Sequence, residues 1–126
     1  MLKPSAFFVQ ETKFSRKGQF KLKNYEIFEY IRKSDGGSIL TGVHNSLKPV
    51  IVSDGSDEEH EILVVEGELS EKNCRFINGY APQEYSKTDK RIKFFARIEE
   101  EVVLAKLNGA WYVCRWMQMP NWDQKL

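Results

Sequence analysis

Apolar positions along this chain come in short runs, and all but one of the runs alternate or stop within a few residues. The first is Ala6-Phe7-Phe8-Val9, which ends at an amide, a carboxylate and a hydroxyl in Gln10-Glu11-Thr12. Such a run predicts a short buried strand that delivers polar groups at its C-terminal end. Tyr25 to Ile31 is aromatic and β-branched and predicts a second strand. Asp35-Gly36-Gly37 then turns the chain into Ser38 to His44, whose Gly42 predicts a close backbone approach or a bulge. Val50-Ile51-Val52, Ile62 to Leu69 and Cys74 to Tyr80 follow as strands joined by tight turns, the pattern of an antiparallel meander. The opening strand has little chain ahead of it. If it is central in a sheet, its neighbour must come from later in the sequence or be absent.

Only one segment has helical spacing. It starts between Ser86 and Asp89, where Ser86 or Thr88 can cap it, and runs to about Leu107. Ile92, Phe95, Ile98 and Val102 form its expected apolar stripe, widened by Phe94 and Leu104. Lys90, Arg91, Lys93, Arg97 and Glu99 to Glu101 are expected to face water, so this helix is packing rather than chemistry. Asn108-Gly109 stops it. Ala110 to Trp116 is a last strand-like run, and Met117 to Leu126 is polar without a period. Strand, meander, long helix and final strand predict an α+β or layered α/β sandwich with a mostly antiparallel sheet.

Composition narrows the function classes. The 126 residues suit one domain with a core of its own. A formal charge of +1 gives no strong pull toward nucleic acid or a membrane surface. Cys74 and Cys114 form neither a CxxC pair nor a disulfide framework, so a reducing compartment is expected, nucleus or cytoplasm. No apolar run approaches a membrane span and no signal-peptide core opens the chain, so no membrane partner is expected.

Several residues qualify for chemistry, each with a plainer reading. Ligand sites of open α/β sheets collect beyond the carboxyl ends of strands, which makes Glu11 a candidate metal ligand; it also reads as the start of a solvated loop. The basic loop Lys13 to Lys23 suits phosphate, or is a solvated connection. His44 reads as a proton carrier or as a structural residue at a strand end. The acidic run Asp54 to Glu61 lacks the spacing of a calcium loop and reads as a hairpin tip. Asn78 and Tyr80, two apart on one strand, point to the same side and suit a phosphate or a ligand, or mark the entry to a loop ended by Pro82.

Taken in order, Phe8-Val9-Gln10-Glu11-Thr12, Gly36-Gly37 before a strand, Asn78-Gly79-Tyr80-Ala81-Pro82-Gln83-Glu84 and the following Phe94-Phe95 helix resemble the endonuclease/exonuclease/phosphatase family, the DNase I-like fold. The similarity is closest to endonuclease domains of non-LTR retrotransposons and their craniofacial-development-protein-2-like relatives, and covers roughly residues 3 to 110. It implies a layered α/β sandwich that hydrolyses phosphodiesters with Mg²⁺. By resemblance, Glu11 is the metal-binding glutamate after the strand, and Tyr80 is the active-site tyrosine near the scissile phosphate, with Asn78 beside it. The chemistry suits a hard cation held by one or two carboxylates, water and phosphate oxygen.

The departures from the family pattern are large. The family's earlier strand, with its Asn near the metal, precedes the point where this chain starts. Its Asp-x-Asn strand corresponds to Arg115-Trp116-Met117-Gln118-Met119-Pro120-Asn121, and its Asp-His general base pair has no counterpart. Residues 1–109 are therefore expected to be a partial, catalytically inactive domain with residual or absent Mg²⁺ binding, and 110–126 an aberrant tail. A non-catalytic module for nucleic acid or protein is the alternative. A sandwich cut short would also leave a sheet face uncovered and open to self-association. The single codons of Trp and Met constrain the tail. Read from each third base, Trp116-Met117 gives Asp, Met117-Gln118 gives Ala, and Gln118-Met119 gives Asn or Asp. That sequence restores the family's Asp-x-Asn. The reading frame is thus expected to have slipped near Asn108 to Ala110. Sequencing the transcript checks this: bases incompatible with the shifted reading remove it.

Overall fold

The computed structural model describes residues 4–10, 12, 18–31, 38–54, 61–81 and 88–118. Seven strands and one helix form among them: β1 (Ala6–Gln10), β2 (Tyr25–Tyr30), β3 (Ile39–His44), β4 (Val50–Asp54), β5 (Ile62–Leu69), β6 (Lys72–Ala81), α1 (Thr88–Leu107) and β7 (Trp111–Gln118). The content is mixed α+β in layers, as the runs predict. Gly36-Gly37, the cap at Ser86 and the tail beyond Gln118 lie outside the described residues.

Two sheets result. A small one has the order β1-β3-β2, and a larger one the order β4-β5-β6-β7. The opening strand does take its neighbour from later in the chain: β1 pairs antiparallel with β3, Phe7 opposite Gly42 and Gln10 opposite Ile39. β4, β5 and β6 are the expected meander. β7 departs from it. The helix carries the chain across the sheet, so β7 runs parallel to β6, as a crossover of this length permits.

Strand alternation sorts the side chains into two cores. Even positions of β6 and odd positions of β5 face the small sheet. There Val65, Cys74 and Phe76 pack with Val43, Leu47, Ala6, Phe8 and Phe28, while Leu63 and Tyr80 pack with Ile39. The opposite parity faces α1: Ile62, Val64 and Ile77 meet Phe94 and Ile98. The order is small sheet, large sheet, helix. Covered on both sides, Ile62 to Val65 are all buried, which explains an apolar run without alternation.

The helix face differs from the expected stripe. Phe94, Ile98, Glu101 and Ala105 are the buried positions, whereas Ile92 is 62% exposed and Leu104 39%. Phe95 and Val102 of the expected stripe also pack against this core, so the contacting face shifts only from Ile92 and Leu104 toward Glu101 and Ala105. Gly79 lets Phe94 approach: a Cβ there would lie 3.0 Å from the Phe94 ring. A carboxylate on this face answers an arginine beneath it.

Gly42 is the close approach its sequence suggested. The Phe7 ring lies across it where a Cβ would stand, and stacks edge-on to Phe20, ring centroids 6.3 Å apart. His44 is structural. Its Nδ1 accepts from the Ser46 amide at 3.1 Å and caps the 3-10 turn Asn45–Leu47, with the ring edge-on to Tyr25. Gly42→Ala is expected to lower unfolding stability by about 1–3 kcal/mol, because the ring must leave its place. Urea denaturation measures it, and Phe7→Leu in the same chain should return part of the loss.

Candidate polar site at the carboxyl ends of strands β1 and β6

The C-terminal ends of β1, β2 and β6 meet at one end of the sandwich, where β3 begins. Asn78 is the polar centre of that end. Its side chain is fully buried. Nδ2 donates to the Leu40 carbonyl at 2.9 Å and to Thr41 Oγ1 at 3.2 Å. Its Oδ1 accepts from Gln10 Nε2 at 2.9 Å. One amide on the large sheet thus binds two strands of the small sheet, β1 and β3. Away from water these bonds are needed, since a buried unsatisfied amide costs about 1–3 kcal/mol.

Tyr80 shares the face of Asn78, as alternation requires. That face is the interior. The ring packs with Ile39 and Leu63, flanked by Phe28 and Tyr30, and the residue is 2% exposed. Its backbone amide donates to the Glu61 carbonyl at 2.9 Å. Glu11 follows Gln10 in the chain but lies outside the described residues, as do Lys13 to Lys17 and Gly55 to His60. Of the three expected site residues, Asn78 and Tyr80 stand together and Gln10 joins them.

Gln10 and Thr41 were not singled out as site residues. Thr41 was detectable: in Ile39-x-Thr41-x-Val43 it is the one polar group on an inward face. The Gln10 amide carried no signal beyond its place at a strand end.

A second polar cluster lies on the helix side. Arg75 on β6 is buried and donates through Nε at 2.9 Å and Nη2 at 2.7 Å to Glu101 Oε2. Its Nη1 bonds Glu66 on β5, and Arg97 bonds the other oxygen of Glu101. Glu101 is 3% exposed rather than solvated as expected. The reason is local: strand parity puts Arg75 under the helix beside Ile77, and a buried guanidinium requires an anion.

Mg²⁺ needs oxygen ligands, usually including a carboxylate. The Asn78 oxygen is engaged by Gln10, and among the described residues no group of three His, Cys, Asp or Glu converges. The described residues alone do not fit the cation, and no reaction step is derived through it. Burial pushes both the Cys74 and Cys114 thiols up, which disfavours the thiolate as a nucleophile. No helix among the described residues is long and apolar enough to cross a membrane.

No family, no curated protein and no solved structure matches this chain.

Asn78→Ala is expected to destabilise the chain by about 2–3 kcal/mol, since it leaves Gln10 and Thr41 facing each other unbridged. Thermal and urea unfolding measure the loss.

Proposed function

We propose that this chain is a fragment of a Mg²⁺-dependent phosphodiesterase or endonuclease domain of the retrotransposon type that has lost catalysis. One observation carries the reading: the 2.9 Å bond from Gln10 to Asn78, which spans 68 positions of sequence. It joins the ends of the two strands from which the resemblance draws its glutamate and its Asn-Tyr pair. The layered α+β arrangement is compatible with that family.

The loss of activity follows from the residue inventory. Phosphodiester hydrolysis needs positioning, charge stabilisation and proton transfer in one place. The sequence supplies Glu11, and where the resemblance places Asp-x-Asn it reads Arg115-Trp116-Met117-Gln118. Asn78 is held by partners on the small sheet, and Tyr80 is enclosed between the sheets.

A second reading, a non-catalytic module for nucleic acid or protein, is favoured by exposed Lys21 and Lys23 around exposed Leu22. Lys21 and Leu22 border a cavity of about 440 Å³ with Phe20, Tyr25 and Ile27, and with Glu26 and Glu29.

Plasmid, nicked and abasic DNA incubated with Mg²⁺ should show no cleavage above background, with Glu11→Ala indistinguishable from the parent. Turnover abolished by Glu11→Ala overturns the loss of catalysis. Salt-sensitive DNA binding that survives Glu11→Ala selects the second reading.

A further inference from the structure

The sandwich has four sheet edges among its described residues: β1 and β2 of the small sheet, β4 and β7 of the large one. Proteins protect such edges with charges, prolines, bulges or short strands, because an open edge pairs with another chain. β1 has five residues. β2 carries Glu26 and Glu29. β4 follows Pro49 and its register breaks between Ile51 and Ser53. β7 has none of these features over Trp111-Tyr112-Val113-Cys114. It is eight residues long, and its register with β6 runs unbroken from Trp111 to Gln118. The run holds no charge, Pro or Gly, and Trp111, Tyr112 and Val113 are 46%, 40% and 50% exposed. Beside it an apolar groove of about 290 Å³ opens between the two sheets, lined by Phe8, Phe76, Trp111 and Val113.

We infer that β7 is a dimerisation edge whose occupant is β7 of a second copy of this chain, antiparallel across a two-fold axis at Val113. Two constraints select that arrangement. A two-fold axis perpendicular to the sheet keeps each face continuous, so residues of like parity stand opposite one another. Charge then favours the register centred on Val113 over the one centred on Arg115. Centred on Val113, Arg115 stands opposite Trp111 of the second copy, an indole that already attracts a cation, Lys72 Nζ at 5.1 Å from its centroid. Centred on Arg115, two guanidinium groups would meet, which is unfavourable. Pairing β7 with β4 would be head-to-tail and would not close, and the β4 bulge opposes it. The result is a sheet continuous through both copies, with the two apolar grooves adjacent across the axis. The contact is a strand edge rather than an uncovered sheet face, and it is independent of the phosphodiesterase reading.

Sedimentation of the full chain across micromolar concentrations should show a monomer–dimer equilibrium. Val113→Lys should weaken it by at least about tenfold, because two ammonium groups would meet on the axis, with the far-ultraviolet circular dichroism unchanged. Ile51→Lys on β4 should leave it intact. Hydrogen exchange of the parent protein covers the case in which Val113→Lys fails to fold: β7 amides should slow as concentration rises while β4 amides do not. A parent chain that stays monomeric, open-ended association, or a dimer lost with Ile51→Lys but kept with Val113→Lys overturns the inference.

Discussion

The fold depends on a single buried amide. Asn78 reaches from the large sheet into the small one and bonds Gln10, Leu40 and Thr41, which belong to two different strands. Apolar contacts between two sheets tolerate sliding, because their attraction is non-directional. Hydrogen bonds do not. A slip of one residue would leave several polar groups buried without partners, at a cost comparable to much of a small domain's stability. The amide therefore selects one inter-sheet register, and the Ile39, Leu63 and Tyr80 cluster packs in the space that this register defines.

A parallel constraint operates on the other face. Arg75 lies under α1 between β5 and the helix, and its guanidinium is held by Glu66 and Glu101. An apolar face alone would let the helix roll about its axis. The ion pairs fix its rotation, so that Phe94 and Ile98 face the sheet and Ile92 does not. Buried ion pairs contribute little net stability but penalise wrong arrangements heavily. Both polar devices act through specificity, and the apolar clusters supply the bulk of the driving force.

The two sheets cover each other unevenly. β1 ends the small sheet before the large one ends, which leaves the inner face of β7 against an open groove. Residues that would be core in a wider sandwich are half exposed there. The same geometry brings the polar ends of β1 and β6 together at one pole and, among the described residues, leaves β7 as an edge along one side.

Strand and helix positions were legible in the sequence because they follow from local periodicity. β5 and the helix were bounded closely, since long runs with turn or cap signals at both ends admit few alternatives. The polar strand ends at Gln10 and at Asn78 to Tyr80 were visible for the same reason. Which strands would be neighbours was not: β1 pairing with β3, and β7 running parallel to β6, depend on contacts far apart in the chain. Nor could the sequence tell that Asn78 points into a closed interior, or that Glu101, in a run of three glutamates, is the one drawn inward by Arg75. Local pattern determined the elements and the apolar faces of the strands. Tertiary packing decided which polar groups were enclosed, because the partner that makes burial of a polar group tolerable is remote in sequence and enters its surroundings only when the sheets close.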